Sequence, residues 1–236
     1  MFDIVLVEAE GEENIGSIAR IIMNFSLDRL ILIAPKANHL SENSLNYAVH
    51  AKEILKNALV YDRLYDYLSG SDISIAFTKR IGQFRKKDLI SYEIGEFLKD
   101  YKDKRVSLIF GNEKYGLKSE DIDLCDLICY IPASIKFPSI NLAQSVGIIS
   151  YEIYKNILYN KTTENSNLAE RKEVEEILNK IISFLNELNY FKNTPETRLK
   201  NYLKKLLFRI KPDKNDAVIL NNLFTRVNGI VKRILK

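Results

Sequence analysis

Val106-Ser107-Leu108-Ile109-Phe110-Gly111-Asn112-Glu113-Lys114-Tyr115-Gly116-Leu117-Lys118-Ser119 decides how this chain folds. An apolar run ends in a polar loop framed by two glycines, and the acidic pair Glu120-Asp121 then opens a helix. In α/β proteins this strand–loop–helix turn is where nucleotide-like ligands bind, because backbone N–H groups and the helix start face the ligand. The spacing nearly spells a phosphate-binding G-x-x-x-x-G-K-[ST] loop, but Leu117 stands where the lysine belongs. Displacing the lysine by one position swings it about 100° around the helix, away from the phosphates it must reach. The loop therefore reads as a ligand site without triphosphate hydrolysis.

The same alternation runs through the first 160 residues. Ile4–Val7, Leu30–Ile33, Val60–Tyr61, Ile73–Phe77, Val106–Phe110 and Leu127–Ile131 are short apolar runs that read as strands. Helical patterns span Asn14–Phe25, the region through Ala48 and Leu55, Asp88–Leu98 and Asn141–Leu158. Fully apolar strands between amphipathic helices predict a parallel sheet covered on both faces. Residues 161–168, beginning Lys-Thr-Thr-Glu-Asn-Ser-Asn, read as a polar linker, and 169–236 as a small all-helical domain. Its helices are expected over Glu170–Leu188, Thr197–Ile210 and Lys214–Leu235.

Charge divides along the same boundary. Residues 1–160 carry 19 Lys+Arg against 22 Asp+Glu, whereas 161–236 carry 16 against 9. A near-neutral body with a basic appendage suits a catalytic or binding domain joined to a nucleic-acid contact surface, although a solvated helical face has the same charge. No stretch reaches the ~18 consecutive apolar residues of a membrane helix. The acidic start Met1-Phe2-Asp3 runs into a strand, so no signal peptide is expected and a cytoplasmic protein is. Cys125 and Cys129, with His39 and His50 as the only histidines, form no zinc pattern, so no metal is expected.

Two further segments carry candidate chemistry. In Glu8-Ala9-Glu10-Gly11-Glu12-Glu13-Asn14-Ile15-Gly16-Ser17-Ile18-Ala19-Arg20, Asn14 is a candidate N-cap and Gly16 allows close backbone approach. Arg20 stands on an otherwise apolar helix, either paired with a surface glutamate or serving as an anion clamp. In Pro132-Ala133-Ser134-Ile135-Lys136-Phe137-Pro138-Ser139-Ile140-Asn141, two prolines stiffen a loop that leads to a helix capped by Ser139 or Asn141. Glu113 in the glycine loop reads first as a cap for backbone N–H groups, and second as an acid–base group.

Taken together, Asn14-x-Gly16-x-x-Ala19-Arg20, Ile109-Phe110-Gly111-Asn112-Glu113-x-x-Gly116-Leu117 and Pro138-Ser139-Ile140-Asn141 with Tyr151-Glu152 resemble the SpoU-type branch of the SPOUT RNA 2′-O-ribose methyltransferases. The resemblance covers residues 1 to about 160, and the basic helical extension is similar to that of the tRNA methyltransferases acting on nucleotide 32. It implies an α/β domain, residues 1–160, whose parallel sheet ends in a C-terminal trefoil knot. It also implies a homodimer acting on tRNA, or on rRNA, with no membrane partner. S-adenosylmethionine would sit at Thr78, Lys79, Arg80, Gly111, Ile131, Pro138, Ser139 and Ile140, with Gly111 bare because the cofactor approaches its backbone. Leu117 would be a buried anchor. Arg20, Glu113, Ser139 and Asn141 are the implied catalytic group, and Asn14, Arg20, Arg85, Lys86 and Lys87 the implied RNA contacts. Two other readings are a P-loop-like nucleotide-binding enzyme, which Leu117 opposes, and a non-catalytic RNA-binding protein, which Arg20, Gly111, Glu113 and Asn141 oppose.

Overall fold

The computed structural model describes residues 1–79, 88–159, 167–192 and 195–234. Contacts divide the chain into two compact units, Met1–Ser166 and Asn167–Lys236. Arg80, Arg85, Lys86 and Lys87, and most of the expected linker, lie outside the described residues.

The first unit is built on seven parallel strands: β1 (Phe2–Val7), β2 (Arg29–Ile33), β3 (Leu59–Tyr61), β4 (Ile73–Phe77), β5 (Leu89–Ile90), β6 (Val106–Phe110) and β7 (Leu127–Tyr130). Their spatial order is β3-β2-β1-β6-β4-β7-β5. Two strands late in the chain are thus inserted among earlier ones, β6 between β1 and β4, and β7 between β4 and β5. β1, β4 and β6 are buried along their whole length, which explains why their sequences are apolar runs without alternation, each broken by a single polar residue, Asp3, Ser74 or Ser107.

Polar exceptions inside the sheet are all hydrogen-bonded. Asp3 accepts Arg29 Nε at 2.9 Å and Nη2 at 2.6 Å, and also takes the Tyr67 hydroxyl at 2.8 Å. Asp126 accepts the Ser74 amide at 2.8 Å and its hydroxyl at 2.7 Å, joining the start of β7 to β4. Burying these groups is tolerable only because each finds partners.

Helices cover the sheet: α1 (Glu12–Asn24), α2 (Glu42–Ala48), α3 (Lys52–Lys56), α4 (Leu64–Leu68), α5 (Ile94–Leu98), α6 (Ser119–Leu124) and α7 (Leu142–Ile153). α7 continues into a π-type turn, Tyr154–Leu158, in which the Tyr159 amide reaches back five residues to Tyr154. Three local expectations change. The helix expected through Ala48 and Leu55 is two short helices, since Val49 turns the chain at a φ of 53°. Asp88–Leu98 begins as strand β5, because the Asp88 amide and carboxylate both pair with Ile128 and draw Leu89-Ile90 against β7. Asn14 is not the N-cap of α1; Gly11 is, and Asn14 lies inside the first turn.

The second unit contains α8 (Arg171–Glu187), α9 (Glu196–Ile210) and α10 (Lys214–Ile234). Val174, Ile177, Leu178 and Ile182 of α8, Leu207 and Phe208 of α9 and Ala217 of α10 are buried. No helix among the described residues is long and apolar enough to cross a membrane.

Gly16 lets α1 and α2 touch. A Cβ there would lie 2.3 Å from the Ser44 carbonyl oxygen and 2.7 Å from Tyr47 Cβ. Gly229, inside α10, has nothing within 4 Å. Gly16→Ala is expected to lower stability by about 1–3 kcal/mol through overpacking, and Gly229→Ala to raise it by about 0.5–1 kcal/mol. Urea unfolding of the two variants checks both signs.

Candidate active site

Three neighbouring strands end on the same side of the sheet, and the loops after them form one cleft. β4 hands over to Thr78-Lys79, β6 to Gly111–Gly116, and β7 to Ile131 and later Pro138-Ser139-Ile140. Leu142 and Ser145 of α7 complete the wall. Phe77 and Phe110, at the ends of β4 and β6, stack at the floor with ring centroids 4.4 Å apart and planes within 8°. Thr78, Lys79, Gly111, Ile131, Pro138, Ser139 and Ile140 therefore come together from three distant segments. Arg80 falls outside the described residues.

The glycine loop is held in one shape by its own atoms. A Cβ on Gly111 would sit 2.2 Å from both the Gly116 carbonyl carbon and the Leu117 nitrogen. Gly111 has no room for a Cβ because the loop folds back on itself, and Gly111 also lines the cleft. Asn112 is buried; its Nδ2 donates to the Glu8 carbonyl at 2.8 Å, and its Oδ1 accepts the amides of Lys114 at 2.8 Å and Tyr115 at 3.2 Å. Gly116 closes the turn at a φ of 67°, its amide donating to the Asn112 carbonyl at 2.8 Å. Leu117, 2% exposed, then enters the core beside Val5, Ile109, Ile122 and Ile128.

Glu113 ties the loop to α1. One carboxylate oxygen accepts the Gly11 amide and Asn14 Nδ2, both at 3.0 Å, and the other accepts the Glu10 amide at 3.0 Å. The Gly11 amide is one of the first N–H groups that a helix leaves without partners, the Glu10 amide lies just ahead of it, and Asn14 contributes its side-chain amide from the first turn. Asn14 Oδ1 in turn accepts Asn141 Nδ2 at 3.0 Å, while Asn141 Oδ1 caps α7 by accepting the Gln144 amide at 3.2 Å. One chain of hydrogen bonds, Glu113–Asn14–Asn141, thus joins all three sequence segments. Asn14 is 9% exposed and its amide is spent inside this chain, so it offers RNA little surface.

Burial pushes the Glu113 carboxyl up, but the bonds from Glu10, Asn14 and Gly11 outweigh it and hold the pKa below the ordinary 4.5. The group is an anion at neutral pH, its oxygens already occupied, which suits an anchor better than a general base.

Charged pairs brace the same loop from outside. Lys36 Nζ lies 2.9 Å from Glu10 and 3.6 Å from Glu8, Lys114 lies 3.3 Å from Glu10, and Lys118 pairs with Glu8. Lys36 foremost, with Asn112 and Lys114, holds the Glu10 carboxyl down to about 2.

Arg20 stands apart. It is exposed, it does not line the cleft, and among the described residues it has no ion pair or hydrogen bond, so the surface glutamate that usually neutralises such an arginine is missing. Leu142 and Ser145 line the cleft without having been named as site residues, and Lys114 and Tyr115, within the loop read as a ligand site, line it without having been given a role. For Tyr115 there was a signal: an aromatic placed inside an otherwise polar glycine-framed loop.

A parallel α/β sheet with a ligand cleft across the carboxyl ends of adjacent strands defines a nucleotide- or cofactor-binding enzyme domain. Residues 1–151 match the model of the SpoU rRNA Methylase family, and the chain belongs to that family. Over 213 residues it is 32% identical to the tRNA (cytidine-2′-O-)-methyltransferase TrmJ of Methanocaldococcus jannaschii, covering 89% of this chain and 90% of that one. The structure of a probable methylase family protein from Haemophilus influenzae Rd KW20 is similar at 28% identity and a TM-score of 0.68, covering 99% of this chain and 98% of that one. The structure of TrmJ from Z. mobilis ZM4 is similar at 25% identity and a TM-score of 0.70, covering 96% and 99%.

Glu113→Gln keeps the shape but removes the charge, and is expected to cost about 1–2 kcal/mol at pH 7, near the low end for charge-assisted bonds because the group is half-exposed. The folded pKa lies below the unfolded one, so this contribution is complete above the ordinary 4.5 and fades as acid protonates the folded carboxylate. Unfolding curves of wild type and variant should therefore draw together as the pH falls below 4.5.

Proposed function

We propose that this chain transfers the methyl group of S-adenosylmethionine to a ribose 2′-hydroxyl in tRNA, at nucleotide 32 of the anticodon loop. The observation that carries the reading is the Glu113–Asn14–Asn141 chain, which gathers the three family segments beside one cleft. Relatives similar over about nine-tenths of the chain bear the name of tRNA 2′-O-methyltransferases. The matching family model is described by rRNA, which keeps rRNA as the second reading.

The cleft suits the cofactor. Ile131, Ile140, Leu142 and the Phe77–Phe110 pair offer apolar walls for a flat base, and Thr78, Lys79, Ser139 and Ser145 offer polar partners for its ribose and amino-acid ends. Bound there, S-adenosylmethionine supplies an electrophilic methyl group on a positively charged sulfur. The protein's part is to bring the ribose hydroxyl into line and keep water out. Glu113 and Asn141 position the two loops that flank the cleft, and Ser139 contacts the substrate. Arg20 holds an RNA phosphate and stabilises the oxygen as its proton passes to solvent; a guanidinium that keeps its own protons is not the base.

In this reading the sheet is knotted: β7 and α7 pass through the loop that precedes them, in keeping with the insertion of β6 and β7 among earlier strands. The enzyme works as a homodimer in the cytoplasm. Met23, Ile148 and Tyr151, 56%, 38% and 51% exposed, give α1 and α7 an apolar face for the second copy. Arg20, on the same helix as Met23 and outside its own cleft, then completes the partner's. The basic residues of 169–236 grip the tRNA, together with Arg85, Lys86 and Lys87.

Labelled methyl incorporation into separate tRNA and rRNA pools, followed by nucleoside mapping, is expected to find 2′-O-methylcytidine or 2′-O-methyluridine in tRNA. Label in rRNA alone would favour the second reading. Arg20→Ala is expected to lower turnover about 100-fold or more with S-adenosylmethionine affinity unchanged, as for loss of a charge-stabilising donor. Turnover that survives the substitution removes Arg20 from the site.

A further inference from the structure

Tyr115 has no task in the fold. The residue is 66% exposed, and among the described residues its ring meets no other ring and its hydroxyl has no hydrogen-bond partner. Its backbone is nevertheless fixed on both sides. The Tyr115 amide donates to Asn112 Oδ1, and the next residue is Gly116, locked at positive φ and bonded to the Asn112 carbonyl. Leu117 then anchors the turn in the core. The loop thus holds an exposed tyrosine among the residues that line the cleft, on a backbone already fixed. Such a ring binds a second flat group at little entropic cost.

We propose that Tyr115 is the platform on which a base of the RNA substrate stacks, beside the ribose that receives the methyl group; this rests on the reading of the protein as an RNA 2′-O-methyltransferase. The flat partner could in principle be the adenine of the methyl donor. The position of the ring decides between them. The cleft's enclosed floor is the Phe77–Phe110 pair, 7% and 2% exposed, which is where a small molecule would be engulfed, whereas Tyr115 stands two-thirds in solvent. Its company fits RNA as well. Lys114 precedes it, 70% exposed at its side chain though paired with Glu10, and Lys79 lines the same cleft, so the cleft that holds the aromatic also carries cations, as sites for single-stranded RNA do. Stacking on a π-face is tolerant of base identity, so this contact positions the nucleotide without choosing between cytosine and uracil.

The chain contains no tryptophan, so Tyr115→Trp installs a single reporter. Titrating it with tRNA should quench the indole emission, and titrating it with S-adenosylmethionine should not. Tyr115→Ala and Tyr115→Leu should raise the KM for tRNA roughly five- to hundredfold, the range for losing one base–aromatic stack. Tyr115→Phe should stay near wild type, since the hydroxyl has no partner to lose. S-adenosylmethionine affinity and melting temperature should be unchanged throughout. A KM for tRNA unaltered in Tyr115→Ala, while wild type methylates normally, overturns the stacking role and leaves the enzyme reading intact. A loss of donor affinity in place of RNA affinity also overturns it, assigning the ring to the donor's adenine. A wild-type protein that methylates no RNA overturns the enzyme reading, and the stacking role with it.

Discussion

Everything in the cleft depends on one half-buried carboxylate. Glu113 collects two backbone amides and one side-chain amide at the start of α1, donors with no partner inside the helix. In doing so it fixes the loop after β6 against the loop after β1, which belong to neighbouring parallel strands. Asn14 carries the restraint onward to Asn141, and Asn141 caps α7. Two loops whose contact residues lie 99 and 127 positions beyond Asn14 in sequence are thereby held by side chains whose alternatives are limited. An ionised acceptor with three donors is a directional restraint, which apolar packing alone would not supply.

That restraint works because the glycine loop cannot drift. Gly111 against Gly116, Asn112 buried beneath the turn, and Leu117 in the core leave the loop few other shapes. The outer pairs of Lys36, Lys114 and Lys118 with Glu8 and Glu10 lie nearer solvent and add less individually. The division is physical: sterics and buried hydrogen bonds fix the shape, and exposed charges tune it. A cleft built this way arrives preorganised for its ligands, which is the condition for positioning a weak nucleophile.

Much of this was legible in the residues themselves. Fully buried strands announce themselves as unbroken apolar runs, so β1, β2, β4, β6 and β7 stand in the sequence near their observed places. The displacement of lysine by Leu117 separated this loop from a phosphate loop, and the observed burial of Leu117 supplies the reason. What stayed hidden was long-range. β5 is two residues long and exists through Asp88 pairing with Ile128, forty positions away. The break at Val49 depends on a backbone angle that β-branched residues seldom adopt. At Gly111 a Cβ is excluded by Gly116, a contact within its own loop that spacing does not reveal. Asn14 looked like a cap and is an internal bridge, since only the fold brings Glu113 and Asn141 to its two ends.

The central claim is that this cleft methylates a ribose oxygen. It is tested most directly with two synthetic tRNAs that differ by one atom, one carrying the 2′-hydroxyl at nucleotide 32 and one carrying hydrogen there. Incubated with the protein and labelled S-adenosylmethionine, the first is predicted to take up label and the second none. Equal labelling of both would contradict the account, because the methyl group would then be landing elsewhere than on that oxygen.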